Sequence, residues 1–347
     1  MKILIESYST VFQQEAGGVQ TRIRLFIDHL KNAGIGVKKY DKWSDKLDEY
    51  DILHIFKIQP ENYSLFRMAQ SKGIPVIIST VIPIENRFKI ILAIILYRLF
   101  NVSTGYSIIY NMLRNAEAIL PQTVYEADFL KKYYRIKSKT VHIIPNGVNI
   151  THYEKNRSLF SQSTGIKGKY VLQVGRFDEN KNQISVIQAM SNTNIPIVFI
   201  GGEDPAQPSY YQRCKDIAGR NIHFLGWINH NDPLLSSAYM SAQIVILPSH
   251  KEIFGNSLIE GGAAGANLIA TKSLPINAWG LSKLCLSIDP NDTDDIKKKI
   301  ETLFNKPLDP AISEIIKNRF SWERVIDTHL QVYSIVNNRL NIGPDEN

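Results

Sequence analysis

Short apolar runs alternate with helical patterns along almost the whole chain, and this alternation constrains the fold more than any other feature. An apolar run bounded by turn residues is typical of a strand buried on both faces, and helices between such strands indicate parallel pairing. In the N-terminal half we predict strands at residues 2–5, 51–56, 74–79, 118–121 and 141–144. Helices are predicted at residues 17–33 and 64–71.

A second alternating set follows a polar segment, residues 155–168, which we interpret as a linker. Its predicted strands are residues 170–174, 197–200, 222–224, 244–247 and 268–270. Parallel strands with helices on both faces form a doubly wound sheet. The sequence therefore predicts an α/β protein with two Rossmann-like, doubly wound domains that face a cleft, at residues 1–160 and 165–319.

The composition restricts the classes of protein that fit. The 347 residues, 44% of them hydrophobic, suffice for two domains with cores. Two cysteines exclude a disulfide framework and fit a reducing cytosol. We expect no signal peptide, and the longest apolar stretch, residues 90–100, is too short to span a bilayer. A net charge of +7 favours anionic partners, but no nucleic-acid module is recognisable, so we expect no nucleic-acid partner.

Glu252 and Glu260 follow the apolar run at residues 244–247, so they are predicted at the carboxyl end of a strand and early in the next helix. Ligands of open α/β sheets bind at this edge. The same helix contains Gly261, Gly262 and Gly265, which indicates close packing of its backbone because glycine weakens a helix by about 1 kcal/mol. Two acids here suit a hydroxyl-rich ligand. Alternatively, Ser257-x-x-Glu260 forms a capping box and Glu260 is structural.

Two strand-end loops have the composition of phosphate sites. Gly17-Gly18 precedes the first helix, where backbone amides can approach an anion, although a simple turn fits equally well. Arg176 and Lys181 follow Gly175 in the loop after the first strand of the second set. Two cations at a strand end can clamp a diphosphate, and the alternative is a pair of solvated surface charges.

In their order along the chain, these segments resemble the family-4 glycosyltransferases, which are retaining, nucleotide-sugar-dependent enzymes with the GT-B fold. The resemblance covers nearly the whole chain and is strongest in the second domain. It also implies that a closing helix, residues 320–340, packs back onto the first domain. The motifs that carry it are Gly17-Gly18, Pro145-Asn146-Gly147-Val148, Gly175-Arg176 with Lys181, Phe224-Leu225-Gly226-Trp227, Glu252-x7-Glu260 and Phe320-Ser321-Trp322-Glu323.

The resemblance implies a role for each matching residue. Arg176 and Lys181 would bind the donor diphosphate, Glu252 would contact the donor sugar near its reacting carbon, and these three would be catalytic. Glu260 would hold the ribose hydroxyls, and Gly18 would bring its amide to the phosphate from the opposite domain. The complete implied donor-binding set is Gly17, Gly18, Arg176, Lys181, Trp227, Ile228, Glu252, Phe254, Gly255, Asn256 and Glu260.

We expect no metal and no cofactor, because Arg176, Lys181 and helix N-termini can stabilise the leaving diphosphate. Asp292-Thr293-Asp294-Asp295 resembles an acidic metal triplet, but acids at a helix N-terminus explain it better. The sequence departs from the family in one place. Many members have a histidine after the third strand, whereas this chain has Thr80 and Glu85 as tentative acceptor-side residues. His54 is interpreted as part of the scaffold.

Residues 87–100 are apolar with basic residues at both ends, and Lys131-Lys132-Tyr133-Tyr134-Arg135 is a second basic and aromatic segment. Such a helix can lie on an anionic membrane surface, and a core helix is the alternative. We therefore expect a cytoplasmic protein that is peripheral on the inner face of the cytoplasmic membrane.

The resulting functional hypothesis is a hexosyltransferase that transfers a sugar from a UDP- or GDP-linked donor to a glycan or lipid-linked acceptor. O-antigen or capsule-type polysaccharide and lipopolysaccharide biosynthesis fit this hypothesis. Epimerases and phosphorylases share the GT-B fold, and paired glutamates also occur in glycosidases, but two cations favour a phosphate-bearing substrate. The alternative from another class is a catalytically inactive GT-B-like subunit that binds a nucleotide sugar or a glycan.

Overall fold

The structure is a computed structural model that describes residues 1–12, 18–84, 86–150 and 156–341. It divides into two compact units. Unit 1 comprises Met1–Gly147 and the chain from Trp322 onward, and unit 2 comprises Val148–Ser321. Each unit has its own parallel sheet, so the prediction of two Rossmann-like α/β sheets is confirmed.

Unit 1 contains a parallel sheet in the order β2-β1-β3-β4-β5. Alternate strand residues enter two cores, one against α1 and α13 and the other against α2 to α5, as the two-residue repeat of a strand requires. The strands are β1 (Lys2–Glu6), β2 (Gly36–Lys39), β3 (Ile52–Phe56), β4 (Val76–Ser79) and β5 (Ala118–Leu120). The helices are α1 (Gly18–Asn32), α2 (Tyr63–Ser71), α3 (Arg87–Phe100), α4 (Gly105–Asn115), α5 (Val124–Tyr133) and α13 (Trp322–Asn341).

Two strand assignments in unit 1 differ from the prediction. Residues 141–144 do not form the predicted strand, because only Val141 makes a bridge, to Ile119. The structure adds β2, which pairs with β1 and is largely exposed. An edge strand with two lysines lacks the apolar run by which buried strands are recognised, so its sequence gave no signal.

Unit 2 contains a parallel sheet in the order β11-β10-β9-β6-β7-β8. Its inner strands β7, β9 and β10 are buried along their whole length, since helices cover both faces. The strands are β6 (Val171–Val174), β7 (Ile197–Ile200), β8 (Ile222–Phe224), β9 (Ile244–Leu247), β10 (Asn267–Thr271) and β11 (Cys285–Ile288). The helices are α6 (Leu159–Thr164), α7 (Gln183–Met190), α8 (Pro208–Asp216), α9 (Pro233–Ser241), α10 (Asn256–Ala263), α11 (Thr293–Phe304) and α12 (Pro310–Phe320).

The segment predicted as a linker contains a helix, α6. Its Phe160 is fully buried and packs on Tyr170, with 5.1 Å between the centroids of the two tilted rings. The backbone N–H of Phe160 donates to Ser237 Oγ at 2.8 Å. This apolar residue of a largely polar segment is therefore anchored in the core of unit 2, and the segment is not a free linker over the range of α6.

Helix α13 packs against α1 within unit 1. The Trp322 ring stacks on His29 with 5.2 Å between centroids, and a Cβ added at Gly147 would overlap the same indole ring. Only glycine leaves room for this contact, which gives Gly147 a packing reason.

In each sheet the first strand of the unit has neighbours on both sides, and the chain order reverses there. In unit 1, β1 lies between β2 and β3, and in unit 2, β6 lies between β9 and β7. Loops at the carboxyl ends of strands flanking such a switch point form the ligand site of open α/β sheets. Each unit therefore has a defined edge at which a site is expected.

Candidate active site

Arg176 lies in the loop that follows β6 at the switch point of unit 2. Its Nε is 3.3 Å from Asp204 Oδ2 and 3.4 Å from Asp178 Oδ2. Its two terminal nitrogens make no hydrogen bond within the described residues, and the side chain is 52% exposed. The guanidinium is thus held on one side, and its bidentate edge is open to an anion.

Lys181 and Glu252 form an ion pair at the same edge. Lys181 Nζ donates to Glu252 Oε2 at 2.8 Å, and the two side chains are 25% and 15% exposed. The backbone N–H of Lys181 donates to Asp178 Oδ1 at 2.8 Å, so Asp178 connects Lys181 with Arg176. The three residues predicted as catalytic therefore lie together in the loops after β6 and β9, which are neighbouring strands.

Asn180 ties these two loops to each other. Its side chain accepts from the backbone N–H of Lys251 at 2.9 Å and donates to the carbonyl of Lys251 at 3.0 Å. Its carbonyl accepts from the backbone N–H of His250 at 2.9 Å. The position of Glu252 relative to Lys181 is consequently fixed by backbone contacts as well as by the ion pair.

Glu260 lies on α10 and is contacted by two residues that the sequence analysis did not single out. Tyr239 Oη donates to Glu260 Oε2 at 2.7 Å, and His230 Nδ1 lies 3.7 Å from Glu260 Oε1. Burial raises the pKa of Glu260, and His230 and Tyr239 oppose this shift. The helix starts after Gly255, with no side-chain cap, so the capping-box interpretation of Ser257 and Glu260 is wrong.

The glycines of α10 allow it to lie directly on the sheet. A Cβ at Gly261 would lie 2.5 Å from Val245 Cγ2 of β9, and one at Gly262 would overlap Ile316 of α12. Gly255 precedes the helix with φ 74°, a left-handed conformation that glycine adopts without strain. The expected close packing is confirmed for Gly261 and Gly262, and it brings the N-terminus of α10 to the edge that carries Glu252. It is wrong for Gly265, which follows the end of α10 with φ 92° and has open space at its Cβ position.

The remaining predicted donor-binding residues of unit 2 occupy different environments. Trp227 is 53% exposed in the loop after β8, whereas Ile228 is half-buried against the core. Phe254 is buried and packs edge-to-face on Trp279 at 5.5 Å, so only its backbone is available to a ligand. Asn256 is the first residue of α10.

A further glycine pair, Gly201-Gly202, follows β7 and completes this edge. A Cβ at Gly201 would overlap the carbonyl of Gly175. The backbone N–H of Gly201 donates to the carbonyl of Gly226 at 2.8 Å. The loops after β6, β7 and β8 therefore approach each other closely at their backbones. The signal was present in the sequence, because a glycine directly after an apolar run also marks the loop at Gly175.

Of the four residues predicted for the site in unit 1, the structure describes Gly18 and Thr80. Gly18 is the exposed first residue of α1, and Gly17 and Glu85 lie outside the described residues. Thr80 follows β4 and is fully buried, with its N–H donating to the carbonyl of Leu120 at 3.2 Å. This burial counts against the acceptor-side role predicted for Thr80.

His54 belongs to a buried polar group of unit 1. Its Nδ1 lies 2.6 Å from Tyr333 Oη and its Nε2 lies 2.9 Å from Ser79 Oγ, and burial lowers its pKa well below the usual range. Arg22 is buried nearby over the Phe56 ring, and desolvation lowers its pKa to about 10. His54 is enclosed and fully hydrogen-bonded, as the scaffold interpretation requires.

An open depression of about 370 Å³ lies at the switch point of unit 1. It is lined by Tyr8, Lys57, Gln59, Pro60 and Glu61. Lys57 Nζ lies 4.2 Å from the centroid of the Tyr8 ring, and burial lowers the pKa of Lys57. Lys57 also has φ 55°, a rare conformation for a residue other than glycine, and such strain is concentrated at functional sites.

Glu6, at the end of β1, is a second residue at this edge whose pKa is shifted. Burial, and secondarily the charge of Glu61, raise the pKa of Glu6 to about 7. Glu61 itself accepts from Ser9 N at 2.9 Å and from Ser9 Oγ at 3.0 Å. No sequence pattern marked these residues, since they are single polar positions at or after the ends of strands.

Asp292 caps α11, because its Oδ1 accepts from the N–H groups of Asp294 and Asp295, each at 3.0 Å. The interpretation of this acidic segment as a helix N-terminus is confirmed. In the part of the chain that the structure describes, no group of three or more His, Cys, Asp or Glu side chains is arranged to hold a metal ion.

Comparison with known proteins agrees with this geometry. Residues 156–321, which include Arg176, Lys181, Glu252 and Glu260, match the family model described as glycosyl transferases group 1. The fold of nearly the whole chain is that of sucrose-phosphate synthase from Thermosynechococcus elongatus, with a TM-score of 0.75, 16% identity and coverage of 97% of this chain and 99% of that one. Anabaena HepE in complex with UDP has a TM-score of 0.75 at 14% identity, covering 96% and 100%. The fold is therefore GT-B, and the matches support a GT-B glycosyltransferase.

Three curated relatives are similar over part of the chain. They are a mannosylfructose-phosphate synthase of Agrobacterium fabrum (26% identity, 53% of this chain and 44% of the relative), a D-rhamnosyltransferase of Pseudomonas aeruginosa (29%, 45% and 40%) and a lipopolysaccharide core biosynthesis glycosyltransferase of Rhizobium meliloti (23%, 47% and 48%). Each alignment spans less than half the length of the relative.

Proposed function

We propose that this protein is a retaining, metal-independent glycosyltransferase of the family-4 type that transfers a hexosyl group from a nucleoside-diphosphate sugar. One observation carries the proposal. Arg176, Lys181 and Glu252 converge at the switch-point edge of unit 2, inside the segment that matches the glycosyltransferase family model. Two cations beside a carboxylate suit a ligand that combines a diphosphate with a hydroxyl-rich sugar.

In this proposal the donor diphosphate takes the place of one carboxylate, Glu252, as the partner of Lys181. Arg176 presents its two terminal nitrogens to the phosphate oxygens, and Lys181 turns from Glu252 toward the same group. Glu252, once released, accepts hydrogen bonds from the donor sugar. Glu260, held by Tyr239, accepts from the ribose hydroxyls. The UDP named for the HepE structure is a ligand of this class.

In the transfer, the bond between the anomeric carbon and the phosphate oxygen breaks while the acceptor hydroxyl oxygen bonds to the same face of that carbon. The hydroxyl proton passes to the leaving phosphate oxygen, so atoms and charges balance. Negative charge grows on the diphosphate, and Arg176, Lys181 and the N-terminus of α10 stabilise it. No base from the protein is required, and positioning supplies most of the remaining rate enhancement.

The proposed acceptor is a glycan or a lipid-linked sugar in polysaccharide or lipopolysaccharide biosynthesis, of the O-antigen or capsule type. The names of the rhamnosyltransferase and of the core glycosyltransferase among the relatives support this class. In unit 1, the depression with Lys57, Gln59 and Glu61 beside the Tyr8 ring suits a sugar, since it combines hydrogen-bonding groups with an aromatic face.

A thermal-shift screen of the purified protein with UDP, GDP and ADP, with and without EDTA, tests the donor site. A ligand at 100 times its Kd stabilises the folded state by about 2.7 kcal/mol. We expect one nucleotide to raise the melting temperature, with no effect of EDTA. If no nucleotide shifts the transition, the donor-site assignment is wrong. An EDTA-sensitive shift would contradict metal independence only.

A further inference from the structure

Helix α3 exposes a continuous apolar stripe. Phe88 is 78% exposed and Leu99 is 71% exposed, and Ile91, Leu92 and Ile95 are each more than 40% exposed. These positions follow an i, i+3, i+4, i+7, i+11 pattern, which places them on one face of the helix. Phe100 and Val102, at 69% and 45%, extend the exposed apolar surface past the C-terminus of α3. Single exposed hydrophobic residues are ordinary, but a contiguous patch marks an interaction surface.

The opposite face of α3 already performs the packing role of a core helix. Ile90, Ala93 and Ile94 are buried, and Tyr97 packs half-buried against the same core. The exposed stripe is therefore in excess of what the fold of unit 1 needs. The sequence offered two alternatives for this helix, a membrane-surface helix and a core helix. Neither is sufficient by itself, because one face of α3 belongs to the core and the other is not covered by any part of the described chain.

Basic residues flank the stripe on both sides. Lys89 lies on one flank and Arg87 lies on the other, and both are exposed. Arg98 lies on the Arg87 flank, but its guanidinium donates to Tyr110 Oη, so Lys89 and Arg87 are the cations available to headgroups. Residues 86–116 contain Arg87, Lys89, Arg98 and Arg114 and no aspartate or glutamate. Long basic side chains beside an apolar face can extend to anionic headgroups while the apolar residues enter the acyl region.

A second basic segment is continuous with the stripe. The Arg87 guanidinium lies 5.6 Å from the centroid of the Tyr133 ring, and Lys132 Nζ lies 5.5 Å from the same centroid. Tyr133 thereby joins the N-terminal end of α3 to the basic end of α5. Positive charge and apolar surface occur together here, a combination that matches anionic lipid and not a neutral protein partner.

We propose that the α3 stripe docks unit 1 onto an anionic membrane, with α3 lying in the plane of the interface. No single helix among the described residues is long and apolar enough to cross a bilayer, and α3 and α4 pass such a test only as a pair bent by 80°. An in-plane position satisfies both the exposed stripe and the buried opposite face. The inference is independent of the proposed transfer reaction, although a lipid-linked acceptor would give it a purpose.

Sedimentation with vesicles of phosphatidylglycerol and phosphatidylcholine tests the docking. We expect the wild-type protein to bind these vesicles at low salt, and to bind pure phosphatidylcholine vesicles much more weakly. The double variant Phe88→Ser/Leu99→Ser should bind at least about tenfold more weakly, since each side chain loses its apolar burial. Trp43→Ser/Met68→Ser is the matched control, because Trp43 and Met68 are 87% and 52% exposed in unit 1 but away from α3.

A charge-reversal variant gives the vesicle experiment a second arm. Lys89→Glu should weaken vesicle binding by at least about fivefold, which corresponds to about 1 kcal/mol for one basic residue at the surface. Lys42→Glu is its control.

Equal vesicle binding by wild type and Phe88→Ser/Leu99→Ser would overturn the proposal, as would no binding at low salt. A wild-type dimer in sedimentation velocity that the same variant dissociates, without vesicle binding, would assign the stripe to a second copy of the chain and also overturn it. The nucleotide thermal shift of each variant shows whether its fold and donor site are intact.

Discussion

The switch-point edges of the two sheets share a topology and differ in chemistry. In unit 2, Arg176 and Lys181 are engaged by Asp178, Asp204 and Glu252. In unit 1, the cation at the edge, Lys57, lies over a tyrosine ring and makes no ion pair within the described residues. The topology decides where a site forms, and the loop residues decide what it binds.

The difference has a consequence for ligand selection. In the proposed complex a phosphate replaces only Glu252, at Lys181, while Asp178 and Asp204 still hold Arg176 through its Nε, so the site is preorganised for anionic charge. The unit 1 edge offers one cation, two carboxylates and an aromatic face, with the pKa of Glu6 raised to about 7. That mixture suits a neutral polyol better than a diphosphate.

The largest effect is expected for Glu252→Gln. We expect turnover to fall by about 100- to 1,000-fold, because a preorganised charge beside the reacting carbon is lost. Nucleotide binding should survive, since Lys181 is then freed from its partner. Turnover is measured by release of nucleoside diphosphate from the donor sugar, and binding by thermal shift. A wild-type protein that binds nucleotide but turns over no donor with any glycan acceptor would favour the non-catalytic subunit.

A matched pair of lysine variants separates the two edges. Lys181→Gln should weaken nucleoside-diphosphate binding by about 10- to 100-fold, the equivalent of about 1.5 to 3 kcal/mol for a hydrogen bond to a charged group. Lys57→Gln should leave the nucleotide affinity unchanged and weaken acceptor binding. The second effect would appear as a higher KM for the acceptor at an unchanged kcat. Isothermal titration calorimetry gives the first quantity. Equal losses of nucleotide affinity in both variants would remove the distinction between the edges.

Gly201→Ala tests whether close backbone contact builds the unit 2 edge. A Cβ there overlaps the Gly175 carbonyl, so we expect a loss of about 1 to 3 kcal/mol in the free energy of unfolding and a smaller nucleotide thermal shift. Gly202→Ala is the neighbouring control, since its Cβ would lie 3.7 Å from Trp227 Cβ, an ordinary contact. Urea unfolding of both variants measures the difference. Equal free energies of unfolding for Gly201→Ala and Gly202→Ala would show that close backbone contact at Gly201 does not build this edge.

The smallest effect concerns Glu6 at the unit 1 edge. Its folded pKa is raised from 4.5 to about 7, so the folded state retains a proton that the unfolded state releases. Its contribution is favourable at low pH and is lost as pH rises from 4.5 through 7. Glu6→Gln should therefore be more stable than wild type at pH 8 by about 1 to 2 kcal/mol, allowing for partial exposure, and similar to it at pH 4.

Urea unfolding at the two pH values provides the measurement, with the exposed Glu117→Gln as control. A stability difference for Glu6→Gln that is the same at both pH values would show that its charge is not the cause.

Much of the unit 2 site was predictable, because its signals are local. Arg176, Lys181 and Glu252 lie in the loops that follow apolar runs, and strand-end positions converge in a parallel sheet. His230 and Tyr239 were not predictable, since they lie 30 and 21 residues before Glu260 and meet it only through packing. The unit 1 depression was missed for a similar reason, as Tyr8 and Lys57 are joined by strand pairing across the sheet.

The sequence by itself determined the two parallel sheets and the loops at their carboxyl edges. Period and apolar run length are properties of neighbouring residues, so they can be recognised without the fold. Only the tertiary structure decided that Thr80 is buried, that Glu260 is held by Tyr239 and that one face of α3 is exposed. Burial and long-range contacts depend on which elements pack together, and no local pattern encodes that choice.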